Sequence, residues 1–413
     1  MLMLPPISFE GEILGRQLLR WKRIIEDRDR THEGEYKEMA KFGLDRFLGA
    51  RSVIGVQGGK LVEELEFHFE KSSGAGAAVS PFEVFSPSDG GLARAAASLP
   101  DNTVAALHMT LDGNRLQSFL EELTKLMYMP EARRLAFFHY LRMMLGCVES
   151  TSKPKAQEPL PEKLALTAFV LPPEQSFFPE FLIAVDVGDR KVDRKGILTR
   201  VAGDLSDSFG GDRSKLSSYV KSLGQGEDAI PYVKLSRLLQ SEGSVRGRNL
   251  VLGGRYLALG QMGSSLIYGT HPRAIRKLKL SIANGETLAS RKGFQARFPE
   301  ATRNPIGLYL DAENLGEAAK LGLKVVNSAA LQGALLALLK RAKGSSKQYI
   351  PNWASLIKMI DDHSIVGEET EYGLRLVFKG NGLLSPSMWA AIAYAMDTVN
   401  GLAPMLPATA KKK

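Results

Sequence analysis

A pattern written twice in one register constrains this chain more than any other feature. Leu99-Pro100-Asp101-Asn102-Thr103 leads through Leu111-Asp112 to Leu116, and Phe298-Pro299-Glu300-Ala301-Thr302 leads through Leu310-Asp311 to Leu315. Pro100 and Pro299, Thr103 and Thr302, Leu111 and Leu310, Asp112 and Asp311, and Leu116 and Leu315 are each 199 residues apart. This spacing predicts an internal duplication of a turn, a strand and a helix. Within the unit, Pro fixes the turn and Thr bonds a nearby backbone group. Asp stands where strand becomes helix and caps the helix by accepting from its first N–H groups. The unit is architecture without recognisable chemistry, so the sequence speaks to organisation before function.

Around the repeats, hairpin and helix signals alternate. Residues 9–48 read as mostly helical, with Ile13, Leu14, Leu18, Trp21, Ile24 and Ile25 at helical spacing. Segments 51–56 and 61–69 flank Gly58-Gly59 as a hairpin whose apolar face only Glu63 breaks. A short helix at 91–97, a strand at 103–111 and helices over 116–123 and 130–148 complete the first part. Pro154, Pro159 and Pro161 among Lys, Gln and Glu then mark a linker. Beyond it, strands are predicted at 164–171, 181–187, 248–252, 256–261, 265–268, 306–310 and 370–379. Helices are predicted at 192–205, 215–223, after Pro272, from Leu315, and at 329–340, 351–360 and 387–399. This predicts an α+β fold of antiparallel sheets with helices packed on one face. The expected division is two related domains, 1–150 and 163–401, joined by a linker at 151–162 and followed by a disordered tail at 402–413.

Composition bounds the function classes. The chain has 413 residues, 44% of them apolar, enough for two or three cores. A net charge of +9 favours anionic surroundings, though the excess is modest for this length. Cys147 is the single cysteine, which excludes an intramolecular disulfide and a cysteine metal cluster. Its neighbours Met143, Met144, Leu145 and Val148 predict a buried structural thiol. No apolar run reaches the length of a membrane span, and the first residues lack the features of a signal peptide. As written the chain reads as cytoplasmic, or as exported if a targeting segment preceded it.

No motif for chemistry passes a spacing test. Gly55-Val56-Gln57-Gly58-Gly59-Lys60 lacks the spacing of a phosphate loop. Ser218-Lys221 and Ser355-Lys358 fit a Ser-x-x-Lys pattern without companion motifs. The six histidines form no helix-borne zinc pair. His108 shares a strand face with Asp112 but stands about 13 Å away, at about 3.3 Å per residue. Asp361-Asp362-His363 reads as a solvated helix end after Trp353, Leu356, Ile357 and Ile360. Arg273, Arg276, Lys277, Lys279, Arg291 and Lys292 make a basic face over which Phe294 and Phe298 read as core anchors, a pattern that disfavours nucleic acid.

The combination Tyr268-Gly269-Thr270-His271-Pro272-Arg273-Ala274, Gly285-Glu286-Thr287-Leu288-Ala289, Phe294, Phe298-Pro299-Glu300-Ala301-Thr302 and Leu310-Asp311 resembles uncharacterised bacterial families of unknown function. Many of those proteins are predicted to be exported or membrane-tethered, so the resemblance implies an envelope association and brings no catalytic residue, cofactor or metal. The expected function is therefore a non-catalytic structural or interaction protein that meets a macromolecular or anionic-surface partner. The alternative is a carrier or enzyme holding an apolar ligand between sheet and helices, beside Phe119, Phe137, Phe138 and Trp389.

Overall fold

The computed structural model describes residues 7–9, 47–57, 60–69, 79, 83–149, 159–173, 179–208, 216–235, 256–298, 304–326, 362–370 and 373–380. The expected helices within 10–46 and at 329–340, 351–360 and 387–399 lie outside the described residues. So do 151–158 of the linker, the strand at 248–252, the tail, and Pro299 and Thr302.

The described strands form one antiparallel sheet. In chain order they are β1 (Ile7–Phe9), β2 (Phe47–Gln57), β3 (Lys60–Phe69), β4 (Ala105–Asp112), β5 (Lys163–Leu171), β6 (Glu180–Asp186) and β7 (Lys221–Leu223). There follow β8 (Ile230–Lys234), β9 (Tyr256–Met262), β10 (Ser265–Gly269), β11 (Ile306–Leu310), β12 (His363–Glu369) and β13 (Gly373–Gly380). Across the sheet they run β1-β2-β3-β13-β12-β11-β4-β5-β6-β10-β9-β8-β7. The two strands of the repeated pattern, β4 and β11, are thus neighbours, with His108 opposite Gly307. On their outer sides Leu111 pairs with Leu164 and Leu310 with His363.

The helices are α1 (Gly91–Ala96), α2 (Gly113–Leu126), α3 (Glu131–Met144), α4 (Arg194–Ser208), α5 (Leu216–Tyr219), α6 (Pro272–Ala283), α7 (Lys292–Arg297) and α8 (Ala312–Val326). They do not keep to one face, which corrects the expectation. In β5, β6, β9 and β10 both alternating sets of strand residues carry apolar side chains, so both faces need cover. Ala106, Phe169, Leu182 and Ile267 pack under Leu92 of α1, Ile275 and Leu278 of α6 and Phe294 of α7. Leu111, Leu164, Val185 and Leu266 pack on the other face against Met143 of α3 and Ile197 and Val201 of α4. Cys147, expected to be buried, joins that second cluster only half-buried, its thiol pushed up by burial. Glycine brings α6 close to its strands: a Cβ on Gly260 would stand 2.6 Å from Cγ2 of Ile275.

A second correction concerns Asp362 and His363. His363 opens β12 and is buried, so this is the start of a strand, not a solvated helix end. Asp362 Oδ1 accepts from the Ala312 backbone N–H at 2.9 Å. The alternation in His363–Glu369 is masked by its polar and glycine positions, which left the preceding apolar run as the stronger signal.

Candidate functional site

Where β4, β5, β6 and β10 run together, the face beneath α1 and α6 changes from apolar to polar row by row. Ala106, Phe169, Leu182 and Gly269 lie in register and belong to the closed core. The next row reads His108, Thr167, Ala184 and Ile267. Beyond it Thr110 faces Ala165, and Asp186 faces Ser265. Alanine at 165 and 184 leaves the space above these rows open. The result is a cleft of about 390 Å³, roofed by Arg94, Ala95, Ser98 and Leu99 and closed at its inner end by Phe169 and Leu278.

Its floor is hydrogen-bonded within itself. His108 Nδ1 is 2.9 Å from Thr167 Oγ1, and His108 Nε2 is 3.2 Å from Thr110 Oγ1. Burial pushes the imidazole down to about 4, so the ring is neutral near pH 7. Thr110 is sealed at 0% exposure, while His108 at 5% and Thr167 at 7% reach the cleft. At the mouth, Lys163 Nζ stands 3.9 Å from Asp89 Oδ2, both exposed. Asp186 Oδ1 accepts from the Gly188 N–H at 3.0 Å. The cleft can hold a small polar molecule by hydrogen bonds and charge.

Across β11 the corresponding space is filled. Phe294 and Phe298 stack at 5.1 Å, and Tyr309 meets Phe294 edge-on at 5.2 Å. Beside them Asp311, 2% exposed, takes Arg291 Nε at 2.9 Å and accepts from the Asn314 backbone N–H at 2.8 Å. Arg291 also reaches Glu313 at 2.6 Å. Tyr309 donates to Asp362 Oδ2 at 3.1 Å, with Asp311 Oδ2 3.4 Å away. Burial raises the Asp311 carboxyl, opposed by the Asn314 N–H and by Arg291, and raises the Tyr309 hydroxyl. This is a structural ion-pair network with every member engaged.

The predicted positions fall as follows. Asp112 Oδ1 accepts from the Arg115 N–H at 2.9 Å and caps α2. Thr103 donates to the Pro100 carbonyl at 2.7 Å, and Pro100 itself bridges to Thr287. The basic set does not stay together as a free face. Arg291 is committed to Asp311 and Glu313, and Lys279 pairs with Asp228 at 2.8 Å. Arg273, Arg276 and Lys277 line the exposed side of α6, and Lys292 is exposed on α7. Phe119, Phe137 and Phe138 belong to α2 and α3 and do not line the cleft, and Trp389 lies outside the described residues. The sequence relates His108 only to Asp112, and Thr110 and Thr167 escape sequence reasoning, because the cleft joins strands whose His108 and Thr167 are 59 residues apart in the chain. The one available signal was a run of polar residues at alternate positions of an otherwise apolar strand.

Among the described residues no helix is long and apolar enough to cross a membrane, and no group of three His, Cys, Asp or Glu could hold a metal ion. Comparison of the chain with family models, curated proteins and solved structures finds no match.

Proposed function

We propose that this is a non-catalytic binding protein, built by duplication, whose small polar ligand occupies the cleft over β4, β5, β6 and β10. The duplication is supported by register. His108 and Gly307 face each other and are 199 residues apart, the offset of the repeated pattern. Leu164 and His363, the partners of Leu111 and Leu310, share that offset. A two-fold axis at the His108–Gly307 pair relates β4-β5-β6 to β11-β12-β13 and the hairpin β9-β10 to β2-β3. Since β3 pairs with β13 and β10 with β6, each unit's hairpin completes the sheet of the other, as in an exchanged dimer joined into one chain.

The observation that carries the binding reading is the polar floor Thr110, His108, Thr167 under a roof that leaves it open. Polar side chains in the middle of a helix-covered sheet face cost desolvation and are kept where they satisfy one another or a ligand. A neutral His108 with both ring nitrogens engaged supports binding over proton transfer. The polar lining favours a polar occupant over the apolar one of the alternative sequence reading. Thermal unfolding of the full chain with a panel of small polyols, carboxylates and phosphates tests the reading. At least one probe should raise Tm in the wild type and fail to do so in Ala165→Phe, which fills the cleft. A probe that stabilises both proteins equally would contradict it.

A second contact is favoured by Leu280, 57% exposed on α6 beside Arg276 and Lys277, a strip suited to an anionic surface. Co-sedimentation with vesicles of anionic lipid, lost in Arg276→Glu/Lys277→Glu, is the expected result; equal sedimentation with neutral vesicles would contradict it.

A further inference from the structure

The hydrogen-bond inventory of the cleft floor determines what its ligand must offer, given the binding reading above. Thr110 Oγ1 is sealed from solvent, and its partner is His108 Nε2. A buried hydroxyl proton needs an acceptor, and leaving it without one costs about 1–3 kcal/mol. Thr110 therefore donates to Nε2, which must be the unprotonated nitrogen of the neutral ring. The ring proton is then on Nδ1, and Nδ1–H donates to Thr167 Oγ1. Thr167 receives this bond and has no need to return it, so its own hydroxyl proton is free to point into the cleft. The opposite tautomer would strand the Thr110 proton and turn Thr167 into a donor to the ring. The sealed end of the relay thus fixes the polarity of the open end.

Charge adds to this. Arg94 stands in the roof of the same cleft, and its guanidinium has no ion-pair partner among the described residues. Lys163 at the mouth is held only loosely by an exposed Asp89 at 3.9 Å. The carboxylate of Asp186 is turned to the Gly188 N–H, on the outer row rather than beside Thr167. The cleft therefore presents a directed hydroxyl donor on its floor and an exposed guanidinium in its roof, a pair suited to accepting oxygens that carry negative charge.

We infer that the cleft binds a small anion, or the carboxylate or phosphate end of a larger molecule, through the Thr167 hydroxyl and the Arg94 guanidinium, with Thr110 and His108 as positioning residues behind Thr167. The test is calorimetric titration of the full chain with inorganic phosphate, with acetate, and with glycerol as the neutral comparator. An anion should bind, with phosphate against acetate distinguishing the two sources. Thr167→Val should weaken it about tenfold or more, Thr167→Ser should restore it, and Arg94→Gln, an exposed position, should weaken it in a protein of wild-type stability. The ring ¹⁵N spectrum of His108 in the free protein should show the proton on Nδ1 and lose that signature in Thr110→Val. Glycerol binding without anion binding would overturn this inference and leave the binding reading standing. Failure of all three probes and of the wider panel would end both. Unchanged anion affinity in Thr167→Val and Arg94→Gln, or a ring proton on Nε2, would overturn the assignment of these residues.

Discussion

β4 and β11 lie side by side, end in the same Leu-Asp step and lead into helices, yet they have opposite surroundings. At β4 the capping Asp112 is 30% exposed, and the strand face offers His108 to an open cleft with Thr110 sealed behind it. At β11 the capping Asp311 is 2% exposed, and Gly307 and Tyr309 occupy the positions of His108 and Thr110 in a filled core. Glycine at 307 lets the roof descend: a Cβ there would stand 2.7 Å from Cβ of Leu92 and 3.3 Å from Cε1 of Phe298. The same local motif thus sets the same backbone event, a strand ending in an N-capped helix. Its energetic weight and the space above it are set by residues two and four positions inward. The space over β11 is filled by aromatic side chains, and the space over β4 is open.

The comparison breaks first at Asp311. Asp311→Ala removes a buried helix cap and one of the two carboxylates that hold Arg291, leaving Glu313 as its partner, and should cost about 2–3 kcal/mol in urea unfolding. A cost near that of Asp112→Ala would mean that burial does not distinguish the two caps.

The next effect is the pH dependence of the cleft. The unfolded imidazole titrates near 6.5 and the folded one near 4. Below 6.5 the unfolded chain binds the proton that the folded chain refuses, so stability is complete above that value and is lost as pH falls toward 4. The shift corresponds to about 3 kcal/mol at most. Chemical denaturation of the wild type across this window should show that slope, and His108→Gln should flatten it; an unchanged slope in the variant would place the titration elsewhere.

Gly307→Ala should cost about 1–3 kcal/mol, because the colliding atom is the root of the Leu92 side chain and cannot swing away. A neutral outcome would show that the roof over β11 is as adjustable as the roof over β4. Smallest is Asp112→Ala, about 1 kcal/mol for an exposed cap. Loss of any ligand response without a change in stability would instead place Asp112 in binding.

The helices α2, α6 and α8 were legible because each carries an apolar period at helical spacing with Pro or Asp at its start. So were both capping aspartates and the aromatic anchors Phe294 and Phe298. The strand β12 was not, because glycine and glutamate interrupt its alternation. Cover on both faces was hidden for a different reason: a strand such as β5, apolar on both sides, has no single face to read. The basic patch failed as a unit because linear charge does not reveal that Arg291 turns inward to Asp311. The cleft lies furthest from the sequence. It requires Ala165 and Ala184 as gaps and His108 and Thr167 as neighbours, and neither adjacency nor absence of volume is written in any one segment.

The most direct test of the central contrast is a crystal soaked in small polar solvents, with bound molecules mapped over both strands. Solvent molecules should gather in the cleft against Thr167 and beneath Arg94, with none between Leu92, Phe298 and Tyr309. A cleft closed by its own side chains, or solvent bound equally over β11, would contradict the contrast between a filled space over β11 and an open one over β4.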